Sequence, residues 1–378
     1  MKAATVQHGD EKWMRRALAL ARQGCGLTRP NPPVGAVVVR NGRCVGGGFH
    51  RKAGGPHAEV YALQQAGARA QGATLYVTLE PCSTRGRTGP CTELILKSRV
   101  RRVVAAMQDP NPRHAGRGFK ILRAAGIEVT QGVCEAEARP LLAPFAKRIL
   151  FGMPWVTLKL GMTLDGRIAD GRGRSQWITG EPARKLVQQW RREADAILVG
   201  AETLRADDPQ LTCRLCKQHT AWRVVVTQSG RIPAKARLFR DADAAKTIVA
   251  TSTKSAPLVR RALGDSLAAV WALPGKKNGI DLRMLLERLA ECNVMQVLCE
   301  GGGGLAASLL AAGLADELRL FLAPKVLGGD GVPGFGARRW TLDRAPELTI
   351  TGSRMVGADM LVEAVPKAQK GRKPCLPD

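Results

Sequence analysis

Apolar side chains recur at Met14, Ala17, Leu18 and Ala21. That is the three-and-four spacing of one helical face, so residues 11–23 are predicted helical. The period then changes. Residues 34–39 read as a buried strand, Asn41-Gly42 is a hairpin signal, and 44–49 return as the partner strand. Helices are expected at 57–66 and 91–97, strands at 74–79 and 100–107, and a last helix and strand over 118–130. A helix, a hairpin and then alternating helices and strands imply a helix-covered sheet of mixed direction. Around 147–154 the pattern breaks and restarts. Residues 155–160, 196–199, 222–226, 247–250 and 295–299 read as buried strands, with helices at 181–193, 280–292 and 305–312. This alternation predicts a second, mainly parallel α/β domain. No internal repeat is present.

The length of 378 residues suits two domains better than one. The expected division is 1–147, 148–365 and a basic tail, 366–378. No apolar stretch of about 20 residues occurs, which argues against a membrane span. The N-terminal residues lack the apolar core of a signal peptide, so a cytoplasmic protein is expected. In that compartment the ten cysteines read as reduced thiols or metal ligands rather than disulfides.

The formal net charge of +26 admits nucleic-acid binding, attraction of small phosphorylated anions, or simply an Arg-rich solvated surface. The basic residues are spread along the chain, apart from a short cluster at 367–373. Aromatics are few and do not interleave with them, so no nucleic-acid partner is expected.

The chemistry-bearing pattern in the first half is His57-Ala58-Glu59, then Glu80-Pro81-Cys82, then Cys91. A catalytic zinc takes three protein ligands and keeps a position for water. His57, Cys82 and Cys91 supply that count for one Zn2+ per chain, and amides at a helix start near Cys91 would favour thiolates. Bound metal acidifies water, and Glu59 is placed to carry a proton from it to a leaving amine. This is the signature of zinc nucleobase deaminases. A structural zinc would show four protein ligands and need no neighbouring proton carrier. A base editor acting on RNA is the other alternative, but such enzymes use Cys-x-x-Cys, whereas eight residues separate Cys82 from Cys91.

In the second half, Glu300 is followed by four glycines, 301–304, between a strand and a helix. Amides exposed at a helix start suit a diphosphate. The loop lacks the Gly-x-Gly-x-x-Gly order of the dinucleotide fingerprint, and a flexible turn is the competing reading. Cys213-x-x-Cys216 with His219 lacks a fourth ligand and is not read as a second metal site.

Residues 80–91, Glu-Pro-Cys-Ser-Thr-Arg-Gly-Arg-Thr-Gly-Pro-Cys, resemble the signature of the bacterial riboflavin-biosynthesis deaminase–reductases. So do Pro30-Asn31-Pro32-Pro33-Val34-Gly35, Gly48-Phe49-His50, and Met107-Gln108-Asp109-Pro110-Asn111-Pro112. Further matches are Leu158-Lys159-Leu160-Gly161-Met162-Thr163, Ser175-Gln176-Trp177, Gly200-Ala201-Glu202-Thr203 and Asp207-Asp208-Pro209. The resemblance runs from about Glu11 to Val365. It implies a cytidine-deaminase-like three-layer domain followed by a dihydrofolate-reductase-like domain, both α/β. It also implies deamination of a phosphorylated pyrimidine ribotide and then NADPH-dependent reduction of its ribosyl group, by a homo-oligomer.

Carried over to this chain, the resemblance places Asn31, His50 and Arg87 on the deaminase substrate. It places Gly161, Trp177, Thr203, Asp207, Gly302, Gly303, Gly304, Leu305, Ala306, Ala307 and Ser308 on NADPH. Ser175, Arg191, Leu211, Arg214 and Glu300 fall on the reductase substrate, with Asp207 also a catalytic candidate. The chain departs from the family at Thr84-Arg85, where a His is usual, at Gly89, and at Thr227-Gln228, where Asp-Ser is usual. Arg85 is a candidate replacement for the lost imidazole as a phosphate donor.

Overall fold

The computed structural model describes residues 8–85, 89–215, 221–276, 279–336 and 338–367. The chain divides into two compact units between Met153 and Pro154.

The first unit contains α1 (His8–Gln23), β1 (Gly35–Arg40), β2 (Arg43–Phe49), α2 (Ala58–Ala66), β3 (Thr74–Val77), α3 (Cys91–Lys97), β4 (Arg102–Ala105), α4 (Arg117–Ala124), β5 (Glu128–Gln131) and α5 (Glu135–Phe151). Its sheet has the order β2-β1-β3-β4-β5. β1 runs antiparallel to β2 and β3, while β3, β4 and β5 are parallel. Successive residues of β1 point to opposite faces. Ala36 and Val38 pack with Ala58, Ala62, Leu75 and Phe119 on one side. Val37 and Val39 pack with Met14, Leu18, Tyr76 and Leu142 on the other. Burial on both faces is why this strand is a continuous apolar run rather than an alternating one.

α2 lies directly on β2. A Cβ on Gly46 would collide with the Ala62 carbonyl, and one on Gly48 with the Tyr61 side chain. These glycines let the helix that follows His57 approach the sheet. The sequence reading assigns no element to 135–151, yet α5 occupies it with Pro140 and Pro144 inside. Interior prolines each remove a helix hydrogen bond. Here the buried face of Ala138, Leu142, Ala143 and Ala146 holds the helix in spite of them.

The second unit contains β6 (Trp155–Thr163), β7 (Arg167–Ala169), α6 (Glu181–Glu193), β8 (Ala196–Gly200), α7 (Ala201–Asp207), β9 (Trp222–Thr227), β10 (Thr247–Ser252), α8 (Ala256–Leu263), β11 (Ala269–Leu273), β12 (Gly275–Lys276), β13 (Gly279–Ile280), α9 (Leu282–Glu291), β14 (Gln296–Cys299), α10 (Gly303–Ala311), β15 (Glu317–Ala323), β16 (Val332–Pro333), β17 (Leu348–Val356) and β18 (Asp359–Pro366). The main sheet has the order β11-β10-β9-β8-β14-β6-β15-β18-β17. It is parallel from β11 to β15, as expected. The β15–β18 and β18–β17 pairs are antiparallel, and the sequence reading had not found them. Asp281 caps α9 by accepting from the Arg283 and Met284 amides. α10 begins two residues earlier than predicted, so Gly303 and Gly304 form its first turn.

Candidate active sites

In the first unit, three chain segments bring the predicted metal ligands together. His57 is the N-cap of α2, Cys82 follows β3, and Cys91 opens α3. Their ligand atoms all lie within 4.8 Å of one another. His57 Nδ1 is 3.3 Å from Cys91 Sγ and 3.5 Å from Cys82 Sγ. The Cys91 amide donates to Cys82 Sγ at 3.2 Å, the helix-start contact that favours a thiolate. The Cys82 thiol is pulled down to about 4, first by its hydrogen bond with Cys91 and then by His57, against the cost of burial.

Glu59 is 3 % exposed. Its Oε2 is buried with no hydrogen-bond partner, and burial pushes its pKa up. A set of one imidazole and two thiols, with a partnerless carboxylate oxygen beside it, fits a catalytic zinc with an open position.

His57, Cys82 and Glu59 face a cavity of about 240 Å³ that Asn31 and His50 also line. Asn31 Nδ2 lies 3.0 Å from His50 Nε2, and His50 Nδ1 lies 2.9 Å from the Pro56 carbonyl. If the imidazole donates to that carbonyl, Nε2 is left to accept from Asn31. Both predicted substrate residues are thus fixed in one place. Arg87 lies outside the described residues. Arg85 is largely exposed and pairs with Glu93 at 3.7 Å.

The sequence reading gave no role to Asp109, Asn111 and His114, which also line the cavity. They lie on a turn-rich segment with no periodicity to reveal them. Glu80 holds it in place. Its Oε2 accepts from the Asp109 and Gly116 amides at 3.1 and 2.8 Å, and its Oε1 accepts from Gly118 at 2.8 Å.

In the second unit, a cavity of about 390 Å³ is lined by residues at and just beyond the carboxyl ends of the adjacent parallel strands β9, β8 and β14. That is where open α/β sheets bind ligands. Of the predicted cofactor residues, Thr203, Gly302, Gly304, Leu305 and Ser308 line it. The Gly302 amide donates to Thr203 Oγ1 at 2.8 Å, and Ser308 Oγ donates to the Gly304 carbonyl at 2.8 Å. Gly303, Ala306 and Ala307 are buried on the packed side of α10. A Cβ at Gly303 would lie 2.6 Å from the Pro333 carbonyl oxygen, so the helix can start there only with glycine. Backbone amides at this helix start fit a nucleotide diphosphate.

The other predicted reductase residues lie outside that lining. Ser175 Oγ donates to Asp207 Oδ1 at 2.8 Å. Arg191 grips Glu300 bidentately, with Nε to Oε1 at 2.6 Å and Nη2 to Oε2 at 2.9 Å. Its Nη1 donates to the Thr212 carbonyl at 3.1 Å. The fork expected to bind substrate is therefore engaged by Glu300 and the Thr212 carbonyl. Leu211 is buried with a φ of 54°, which marks that loop as tightly held. The Arg214 amide donates to Gln188 Oε1 at 2.8 Å, and its side chain is exposed. Trp177 is exposed under the Arg184 guanidinium, 4.6 Å from the ring centre.

Lys159, to which the sequence assigns no role, sits on β6 two residues before Gly161, and a Cβ at Gly161 would lie 3.8 Å from its Nζ. Burial lowers its pKa, while Glu300 and Asp207 act to raise it. No carboxylate lies within 4.0 Å of it among the described residues. A lysine inside a buried strand was the signal available.

The sequence profile of the RibD C-terminal domain matches residues 154–362. That of the cytidine and deoxycytidylate deaminase zinc-binding region matches residues 7–107. The riboflavin biosynthesis protein RibD of Aquifex aeolicus is 44% identical over 324 residues, covering 85% of this chain and 89% of its own. That of Escherichia coli is 41% identical over 374 residues, covering 94% and 99%. Among solved structures, Acinetobacter baumannii RibD superposes with a TM-score of 0.83 at 38% identity, covering 95% of this chain and 99% of that one. A diaminohydroxyphosphoribosylaminopyrimidine deaminase/5-amino-6-(5-phosphoribosylamino)uracil reductase from Thermotoga maritima gives 0.83 at 36% identity, with the same coverage. Both sites and both halves of the chain thus fall within one set of relatives, and the chain belongs to the RibD family of bifunctional zinc-dependent deaminases and NADPH-dependent reductases.

Proposed function

We propose that this chain catalyses two consecutive steps of riboflavin biosynthesis. The first unit deaminates 2,5-diamino-6-ribosylamino-4(3H)-pyrimidinone 5′-phosphate to 5-amino-6-(5-phosphoribosylamino)uracil. The second reduces the ribosyl group to ribityl with NADPH. The observation that carries the reading is the three-donor cluster with the partnerless Glu59 oxygen beside it, joined in one chain to the glycine-lined cavity.

His57, Cys82 and Cys91 would hold zinc, which when bound supplies a water acidified to near neutrality. Glu59 would take a proton from water as it adds to the ring carbon and then deliver one to the departing amine, released as ammonia. Asn31 and His50 hold the pyrimidine, and Arg87 meets the phosphate.

In the second unit, Thr203 and the 302–308 segment would cradle NADPH, whose nicotinamide supplies the hydride. Gly161 and Trp177 would line the cofactor as well. Asp207, hydrogen-bonded to Ser175, orients the sugar and steers a proton during ring opening. Arg191 and Glu300 act as one unit in binding the substrate, with Leu211 shaping the loop and Arg214 reaching the phosphate. The division expected near 147 falls inside α5 and the tail expected from 366 begins within β18, the two units parting after Met153; a homo-oligomeric state and a cytoplasmic location belong to the same reading. Among the described residues no helix is long and apolar enough to cross a membrane.

Supplying the diaminopyrimidine ribotide with NADPH, and following ammonia release and NADPH absorbance in one sample, tests the proposal. Ammonia is expected first, then NADPH loss of equal amount. Ammonia release from RNA, with none from the ribotide, would overturn it.

A further inference from the structure

The glycine-lined cavity has two charged side chains on its wall, Glu202 and Arg205, both from α7. Neither forms an ion pair within 4.0 Å among the described residues. A guanidinium without a carboxylate at the mouth of a nucleotide-sized cavity is a site for an anion.

Two further features place that anion. The lining continues past β9 through Thr227, Gln228 and Ser229, so the strand end offers hydroxyl and amide groups and no carboxylate. In dinucleotide sites an acid near a strand end selects the free ribose 2′-hydroxyl, whereas a nearby arginine accommodates the 2′-phosphate. The backbone of Arg231 then fixes the two polar groups at this rim. Arg205 Nη1 donates to the Arg231 carbonyl at 2.8 Å, and the Arg231 amide donates to Ser229 Oγ at 3.3 Å. The Ser229 hydroxyl proton and the other Arg205 N–H groups remain for a ligand.

We propose that Arg205, with Ser229, is the site for the adenosine 2′-phosphate and sets the preference for NADPH over NADH. The inference rests on reading this cavity as the cofactor site. The diphosphate lies at the start of α10, on the Gly302 side. The adenosine then extends across β8 towards the end of β9. Glu202 would repel a phosphate placed against it, which puts the 2′-phosphate on the Arg205–Ser229 side.

Direct binding tests it without turnover. NADPH and NADH are titrated by nicotinamide fluorescence, and 2′-phospho-ADP-ribose and ADP-ribose are used as competitors. Wild-type protein is expected to favour the phosphorylated member of each pair by about 10- to 100-fold, the worth of charge-assisted hydrogen bonds. R205Q should bring both ratios to within about threefold by weakening the phosphorylated ligand alone. R205K should keep part of the preference, because the charge remains. S229A, which removes only a hydroxyl, should cost about threefold on the phosphorylated ligands. Undiminished preference in R205Q and S229A overturns this inference alone. Failure of wild-type protein to bind NADPH overturns the cofactor assignment, and this inference with it.

Discussion

Replacing Glu80 with Gln isolates the role of one buried carboxylate. Glu80 is 5 % exposed and accepts three backbone N–H groups from a segment that supplies part of the deaminase cavity. The contact is close, since a Cβ on Gly118 would collide with the Pro81 carbonyl and reach Glu80 Oε1 at 3.2 Å. Gln keeps the volume but converts one acceptor into a donor and removes the charge. Its amide should turn to keep oxygen on the Asp109 and Gly116 side, where two bonds are served. Its NH2 then faces the Gly118 N–H, and that bond is lost. The lost charge-assisted bond alone contributes about 1.5–3 kcal/mol, and the two that remain weaken as they become neutral, so local stability should fall by at least about 1.5–3 kcal/mol. At tenfold per 1.4 kcal/mol, amide exchange across 109–118 should quicken by at least about tenfold. Hydrogen-exchange mass spectrometry reads this peptide by peptide. Deamination should weaken with it, since Asp109, Asn111 and His114 lose their fixed positions, while reduction of supplied intermediate should not change. Exchange at wild-type rate in that segment would refute the reasoning.

Four further outcomes follow from the two sites. Cys82→Ser should purify with near-zero zinc by metal analysis, and full zinc retention would remove Cys82 from the ligand set. Glu59→Gln should keep its zinc yet lose about 10²- to 10⁴-fold in ammonia release, the usual contribution of a positioned proton carrier. Wild-type ammonia release in that variant would end the role assigned to it. Asp207→Asn should cost reduction about 2–4 kcal/mol in transition-state stabilisation and leave ammonia release intact. Normal reduction of supplied intermediate would show the carboxylate is not needed. Lys159→Met should slow reduction by at least about 100-fold with NADPH binding kept, if its ammonium serves the reacting sugar. Unchanged kcat would make Lys159 a packing residue.

What the sequence made legible follows its physics. β1 was readable because burial on both faces leaves a run with no polar position. The zinc donors were readable because three metal-ligand residue types fell at element boundaries in the expected order. α5 was not, because Pro140 and Pro144 look like breakers and only the packing of Ala138, Leu142 and Ala146 reveals a buried face. Asp109, Asn111 and His114 lie on a segment whose shape is imposed by Glu80, some thirty residues earlier, so no local pattern could point to the cavity. β17 was missed for a similar reason. β17 is exposed along most of its length and carries no alternating burial for a period to reveal. Arg191 was identified as a binding residue from resemblance, but its bidentate partner Glu300 lies 109 positions away and only the fold joins them.

The two units reach different chemistries through a shared geometric device. In each, parallel strands end at a cavity where a helix begins, so unpaired backbone amides point at the place where negative charge must be held. In the first unit the charge is carried by the protein itself, as thiolate, and the Cys91 amide donates to Cys82 Sγ. In the second it would be carried by a ligand beside the start of α10, where Thr203 Oγ1 takes the Gly302 amide and Gly303 and Gly304 open the helix. What distinguishes the two is what stands beside the amides. A buried carboxylate with a partnerless oxygen suits the first to proton transfer. In the second, a guanidinium on the rim and a serine hydroxyl make a recognition site. Exchanging such neighbours should therefore alter chemistry without altering fold. Glu59→Gln and R205Q are the two substitutions in which that separation is sharpest, because each changes one functional group and leaves the strand–helix junction beneath it untouched.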